Sequence, residues 1–468
     1  MIELERDVKQ VFFVGIAGTG MSAIAQYLQG TGKEVSGSDR YFTEGEYNET
    51  KAKLEAAGIK CYFQDGRGIS PQTDLVVVST AIEDTVGEIQ KAKSLEIPII
   101  KRSELLALIA ASRKTIAVGG TSGKSTTSAM LFQVMEKAGL SPSIISGAGL
   151  VSIIKESFPA DPSGIGKIGN AKVGYGEWLI IEADESDGSI VQYHPEVGLL
   201  LNIDKDHQEI DELRQIFAVF RENSKSLFVV NQSNSYAREL SVNPANDFAL
   251  TLDSNAGYKA TAFVQDGLNI AFLINGIEFR MNTVGRLNME NAVAAVAVAN
   301  HLGVTLETCA AALTDYEGIY RRHQVLGQKN NIWVIDDYAH NPVKCAKSIE
   351  ACQPVSGKVI AWFQPHGYGP TRFLRDDFVK EIAAVLRPQD EVWMSEIFYA
   401  GGTAVKDISA EDLINDIRAL GKQAWFVADR KNFLDAVRPH LSENTTLLLM
   451  GARDPSLEGF GKEIFEKL

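Results

Sequence analysis

Short apolar runs punctuate this chain, each ending in glycine or polar residues, and most lead into a helical pattern. The runs at 11–15 (VFFVG), 33–36, 74–79 (DLVVVS), 98–100, 115–118, 197–203 (VGLLLNI), 332–335, 358–362, 391–394, 423–427 and 446–450 read as strands, as does the start of 177–187 (EWLIIEADESD). Helical patterns read at 21–30 and 292–302, and another starts at Pro342, where a missing N–H does no harm. Strands alternating with helices predict parallel sheets. Residues 248–284 differ, because apolar and polar positions alternate around a turn at Gln265-Asp266-Gly267. That pattern predicts antiparallel strands appended to the parallel sheet.

With 468 residues the chain is too long for one ordinary core. The expected fold class is α/β in three domains, divided near Ala111 and Glu317. These are a Rossmann-like domain over 1–111, a P-loop ATPase-like domain with the added antiparallel strands over 112–316, and a second Rossmann-like domain over 317–468. Hydrophobic content of 45% and charged content of 23% are those of a globular protein. A net charge of −14 argues against nucleic-acid partners and against a wide anionic membrane surface. The four cysteines form no CxxC pair and read as reduced thiols. The charged N-terminus MIELERDVKQ lacks a signal-peptide core, and no apolar run reaches the ~20 residues that cross a bilayer, so a cytoplasmic protein is expected.

Candidate chemistry collects at the ends of the strands. After 115–118 come Gly119, Gly120, Thr121, Ser122, Gly123, Lys124, Ser125 and Thr126, and then a helix. Glycines let backbone N–H groups approach phosphate oxygens, the helix start adds partial positive charge, Lys124 reaches the terminal phosphates and Ser125 can ligate magnesium. Val118 stands where the general P-loop pattern wants its first glycine, and a packing turn is the other reading. Gly15, Ala17, Gly18, Thr19 and Gly20 form a second glycine loop, with Asp39 about twenty residues on, as in a dinucleotide or nucleotide-sugar site. Ala17 in place of the middle glycine weakens the dinucleotide reading, and a tight turn needed only for packing is the other one. Glu182, Asp184, Glu185 and Asp187 gather at one strand end, where carboxylates suit magnesium or simply a solvated turn, and His207 follows the next strand as a metal ligand or a turn cap. Asn288 and Asn291 enter the helix at 292–302 as caps or as readers of a nucleobase edge. Arg321, Arg322 and His323 form a basic cluster, either solvated or placed for phosphate. Asp337 and His340 follow one late strand and His366 another.

Taken together, VFFVGIAGTGMSAIA with GSD, GGTSGKSTT, IEADESDGS, NIDKDH, GRLNMENAVAA, GIYRR, DDYAHNP and FQPHGY resemble the Mur ligases over nearly the whole chain. Eight anchors in the family's order are more specific than any one of them, and GT-x-GK-[ST] is that family's own cradle. The resemblance implies an ATP-dependent amide ligase of peptidoglycan precursor synthesis. It would join L-alanine or another amino acid to the carboxylate of UDP-N-acetylmuramate through an acyl phosphate. By resemblance, Lys124 holds the ATP phosphates, and Ser125, Glu182 and His207 serve magnesium. Asn288 and Asn291 face adenine, Asp337 meets the ribose, and Arg322 contacts the γ-phosphate. The first domain holds the UDP-sugar through Gly15–Gly20 and Asp39, and the third brings the amino acid, with His340 and His366 nearby. Cradle and arginine lie on different domains, so closure around ATP is expected. A monomer or homodimer is expected.

Departures from the family's alanine-adding pattern fall at Ser122, Leu287, His323 and Asn341, and at Gly367 and Pro370, which replace two arginines after Phe-Gln-Pro-His. Glycine and proline cannot clamp a carboxylate as an arginine fork does. This leaves open a different acceptor, or another residue, such as Arg372, in the arginines' role. Two other functions also stay open, a ligase that recycles a preformed peptide onto UDP-N-acetylmuramate and a catalytically silent nucleotide binder.

Overall fold

Strands form where apolar runs are covered on both faces, and the computed structural model describes them over residues 4–79, 85–156, 165–204, 209–399, 405–454 and 456–468. Strands β1 (Gln10–Val14), β2 (Glu34–Asp39), β3 (Lys60–Phe63), β4 (Leu75–Val78) and β5 (Ile99–Lys101) make an all-parallel sheet in the order β3-β2-β1-β4-β5. The order reverses between β1 and β4, so a crevice opens beyond the carboxyl end of β1, at the first glycine loop. The strand expected at 33–36 runs on to Asp39, because Ser38 still pairs with Val14 and Asp39 with Phe63.

The second sheet contains β6 (Lys114–Gly119), β7 (Ser143–Ile145), β8 (Ala171–Lys172), β9 (Trp178–Glu182), β10 (Val197–Leu200) and β11 (Leu227–Val230), in the order β11-β10-β6-β9-β7-β8. All its pairs are parallel except β7 with β8. β6 lies between β10 and β9, so the residues that end those two strands flank the loop that follows β6.

The appended strands depart from expectation. β12 (Phe248–Ala249), β13 (Tyr258–Asp266), β14 (Asn269–Ile274) and β15 (Ile277–Met281) form a separate four-stranded sheet, and its first pair is parallel. Their alternating pattern leaves one face for water, so they gain nothing by extending a sheet buried on both sides.

The last sheet comprises β16 (Gln324–Lys329), β17 (Ile332–Asp337), β18 (Lys358–Gln364), β19 (Glu391–Met394), β20 (Gln423–Phe426) and β21 (Thr445–Gly451) in the order β16-β17-β21-β18-β19-β20. Only β16, on the edge, is antiparallel. The expected helix at Pro342 spans Pro342–Cys352, and the Asn341 side chain caps it by accepting from the Lys344 N–H.

The chain divides into two compact units. One comprises the described residues of Met1–Ala262, Phe272–Arg280 and Met289–Glu317, and the other those of Phe263–Ala271, Met281–Asn288 and Gly318–Leu468. In the first unit a single apolar cluster includes Phe13, Ile24 and Leu105 with Leu179, Ile181 and Phe217, so the first two sheets share a core. In the second unit one core packs on each face of the last sheet. Among the described residues no helix is long and apolar enough to cross a membrane.

Candidate active site

The loop after β6 is held from both sides. Gly120 (φ 137°) and Gly123 (φ 89°) take backbone conformations that L side chains rarely adopt, and the helix Lys124–Lys137 starts directly after them. A Cβ on Gly123 would lie 2.5 Å from Asn291 Oδ1. That Asn291 oxygen also accepts from Thr127 Oγ1 at 3.2 Å, so the buried Asn291 packs behind the loop. Asn202, just beyond β10, fastens the opposite side. Its backbone oxygen accepts from the Thr121 N–H at 3.2 Å. Its side-chain oxygen accepts from Thr121 Oγ1 and the Ser122 N–H, each at 2.9 Å, and its amide nitrogen donates to the Ser122 carbonyl at 3.1 Å.

Lys124 donates to the Gly120 carbonyl at 2.7 Å and to Glu185 Oε2 at 2.6 Å. Burial pushes the Glu185 carboxyl up, while Lys124 pulls the other way. Burial also disfavours charge on Asp184, but Lys124, Ser186 and Arg102 outweigh it and keep that carboxyl below the usual range. Ser125 Oγ donates to Glu182 Oε2 at 2.8 Å. The other Glu182 oxygen accepts from Ser146 Oγ and the Gly147 N–H, both at 2.6 Å, which fixes the carboxylate. Thr126 lies half-buried on the first helical turn. A hydroxyl and an immobilised carboxylate fit magnesium, which takes one or two protein oxygens and fills its shell with water and phosphate. Among the described residues no group of three or more His, Cys, Asp and Glu could hold a metal by itself. His207 lies outside the described residues.

The first glycine loop is braced by Asp39. Its Oδ2 accepts from the Ala17 N–H at 2.9 Å and its Oδ1 from the Tyr41 N–H at 3.1 Å. Gly15 (φ 85°) donates to the Ser38 carbonyl at 2.8 Å. Gly18 and Thr19 are exposed, and Thr19 opens the helix Thr19–Gly30. A Cβ on Gly20 would lie 3.2 Å from Arg102, whose guanidinium pairs with Asp187 at 3.1 Å. Asn170 donates to the Thr19 carbonyl at 2.9 Å and to Ser22 Oγ at 3.0 Å, and accepts from Gln26 at 2.6 Å. The helix carrying the first loop is therefore tied to the segment leading into β8.

In the second unit, Arg321 is a structural residue. It makes a buried two-point pair with Asp336 (2.9 and 3.2 Å) and donates to the Gly451 carbonyl at 3.0 Å. Arg322 places its guanidinium 5.0 Å from the centre of the Tyr338 ring. Asp337 is buried, accepting from the His323 N–H at 3.2 Å and from Ser348 Oγ at 2.7 Å. His340 is bonded through Nδ1 to the Tyr338 carbonyl at 2.9 Å, and its ring centre lies 5.7 Å from that of His366. Burial lowers both imidazole pKa values to about 4. Asn288 is inside the helix Arg286–His301 and not its cap, with its amide donating to Thr283 Oγ1 at 2.9 Å and to the Val284 carbonyl at 2.8 Å. Arg372 pairs with Asp407, and Gly367 (φ 74°) caps the helix Tyr368–Phe373.

Sequence reasoning passed over Asn202, Ser146, Ser348 and the Asn170 clasp. The signal for Asn202 was its place at the end of an apolar strand, but only the sheet order brings it to the loop.

Three family descriptions match the chain. These are the Mur ligase family catalytic domain over residues 10–114, the Mur ligase middle domain over 118–299, and the Mur ligase glutamate ligase domain over 321–453. A UDP-N-acetylmuramate–L-alanine ligase of Carboxydothermus hydrogenoformans is 33% identical, covering 98% of this chain and 97% of that protein. Another, from Dictyoglomus turgidum, is 35% identical over 88% of this chain and 87% of its own. The crystal structure of a UDP-N-acetylmuramate–alanine ligase from Thermotoga maritima superposes with a TM-score of 0.79 at 26% identity, covering 98% of both chains. A murein peptide ligase structure from Psychrobacter arcticus, at 20% identity and a TM-score of 0.63, shares the fold.

Proposed function

The chain belongs to the Mur ligase family, and from that premise we propose that it is an ATP-dependent ligase joining L-alanine to the carboxylate of UDP-N-acetylmuramate. The observation that carries the reading is the cradle with Lys124 and the Ser125–Glu182 pair at one strand end, in a chain similar over its length to such ligases.

A carboxylate is a poor electrophile until one oxygen becomes a leaving group. Lys124 and the N–H groups of Gly123, Lys124 and Ser125 at the helix start take the phosphates of ATP and stabilise charge as the γ-phosphoryl passes to a carboxylate oxygen and ADP departs. Lys124 must exchange Glu185 for phosphate oxygens to do so. Ser125 and Glu182 are the residues that would hold magnesium, whose charge neutralises the phosphates when bound. Arg322 is assigned to the γ-phosphate, Asn288 and Asn291 to adenine, and Asp337 to the ribose. Gly15–Gly20, with Asp39 behind them, take the UDP-sugar, and His340 and His366 line the acceptor's place. The amine then attacks the acyl carbon and inorganic phosphate leaves, a sequence in which positioning does most of the work.

The test is phosphate release by the purified chain. It should require UDP-N-acetylmuramate and an amino acid together, and L-alanine should give a product of the corresponding mass. A product only from a tripeptide would mark a recycling ligase, and nucleotide binding without turnover on any acceptor would sink the reading. Lys124→Ala should lower kcat by about 100-fold or more, the scale seen when a charge-stabilising donor is lost.

A further inference from the structure

We propose that Arg453 receives the acceptor's α-carboxylate, so that the chain selects a single amino acid with a free carboxyl group; this rests on the ligase reading above. Three adjacent strands, β17, β21 and β18, end on one edge of the last sheet, with Asp337 opposite Met450 and Gln364 opposite Gly451. Beyond those ends come Tyr338 and His340, then Arg453, then His366. Arg453 therefore follows the middle strand and the two histidines follow its neighbours.

The backbone at Arg453 is unusual. Its φ is 67°, and the Asp454 N–H donates across it to the Ala452 carbonyl at 2.8 Å, the hydrogen bond of a γ-turn, whose positive-φ form is rare and strained. Both flanks are pinned. The Gly451 carbonyl accepts from Arg321, and the Asp454 carboxylate pairs with Arg430 and accepts from the Ser456 N–H at 2.9 Å. A fully clamped turn thus carries at its apex an exposed arginine that forms no ion pair among the described residues. Strain of this kind persists where the surroundings enforce it, and it clusters at ligand clamps.

The opposite pole is also present. His366 Nδ1 is buried without a hydrogen-bond partner, and burial keeps the ring neutral, so this nitrogen can accept from an ammonium group. A guanidinium fork for a carboxylate and a neutral imidazole for an ammonium fit the two ends of an amino acid. The other arginines near Gly367 and Pro370 are engaged, Arg372 with Asp407 and Arg375 with Asp416.

The experiment compares the parent, Arg453→Gly and Arg453→Lys, using ATP, UDP-N-acetylmuramate, and either L-alanine or L-alaninamide. Glycine accepts the φ of this turn, so Arg453→Gly removes the guanidinium and keeps the backbone. The expected result is a KM for L-alanine raised about 10-fold or more, the scale of a lost charge-assisted hydrogen bond, with KM for ATP and UDP-N-acetylmuramate unchanged. The parent should prefer L-alanine to its amide, Arg453→Gly should treat them alike, and Arg453→Lys should regain part of the preference. An unchanged KM for L-alanine, a fall in kcat alone, or an intact preference for the free carboxylate would overturn the assignment while leaving the ligase reading in place. No acceptor-dependent ATP cleavage by the parent on any amino acid would overturn both.

Discussion

Asn202 shows how a side chain outside the chemistry can govern it. Three of its side-chain hydrogen bonds end on Thr121 and Ser122, so the protein itself sets the loop's shape. Asn202→Ala leaves the Ser122 N–H and carbonyl without their partner, a loss of about 1–3 kcal/mol. The expected outcome is a raised KM for ATP and a lower melting temperature, the first read by steady-state kinetics and the second by calorimetry. Gly123→Ala should do more harm. A methyl there would crowd Asn291 Oδ1 and strain a backbone at φ 89°, so binding of a fluorescent ATP analogue should be lost. Gly123, Lys124 and Ser125 were legible because their chemistry is local, with glycines, lysine and helix start contiguous in the chain. Asn202 was not, because it lies about eighty positions away and only strand order brings it near. Asp337 was legible as an acid at a strand end, but its burial against Ser348 and His323 could not be read from spacing.

Among elements, the sheet centres were the readable part. β1, β6, β10 and β21 are apolar and almost wholly buried, so composition alone marks them. Edges were readable only in part, since β5 and β20 stood out as apolar runs and other edges did not. β3 and β16 carry half-buried or exposed residues, and β8 is two residues long, too little for a periodic signal. The helix Arg286–His301 adds a testable feature. Burial and the nearby charge of Asp204 raise the Glu290 carboxyl to about 7, although Asn231 donates to it at 2.6 Å. A raised carboxyl stabilises the fold in its protonated form. That contribution is complete below the ordinary value of 4.5 and is lost as pH rises through about 7. Glu290→Gln should therefore be more stable than the parent at pH 8 and should show a flatter loss between 4.5 and 7, measured by denaturant midpoints.

Across the whole molecule, the second unit contributes the opposite dependence through His340 and His366. The unfolded chain protonates these imidazoles from about 6.5, but the folded chain only near 4, so the unfolded state binds more protons between those values. Their contribution to stability is present above 6.5 and is lost as pH falls toward 4. His340→Gln should soften that acid loss, and calorimetry from pH 7 to pH 4.5 checks it. Within the first unit, Asn170 has a further consequence. By joining Thr19, Ser22 and Gln26 of the helix after β1 to the frame of the next sheet, it makes them a single inheritance. A hybrid protein that took its opening hundred residues from a distant cousin would bring a foreign helix to that asparagine. Unless the newcomer supplied matching polar groups, its glycine loop would be grafted onto a frame it no longer faced squarely.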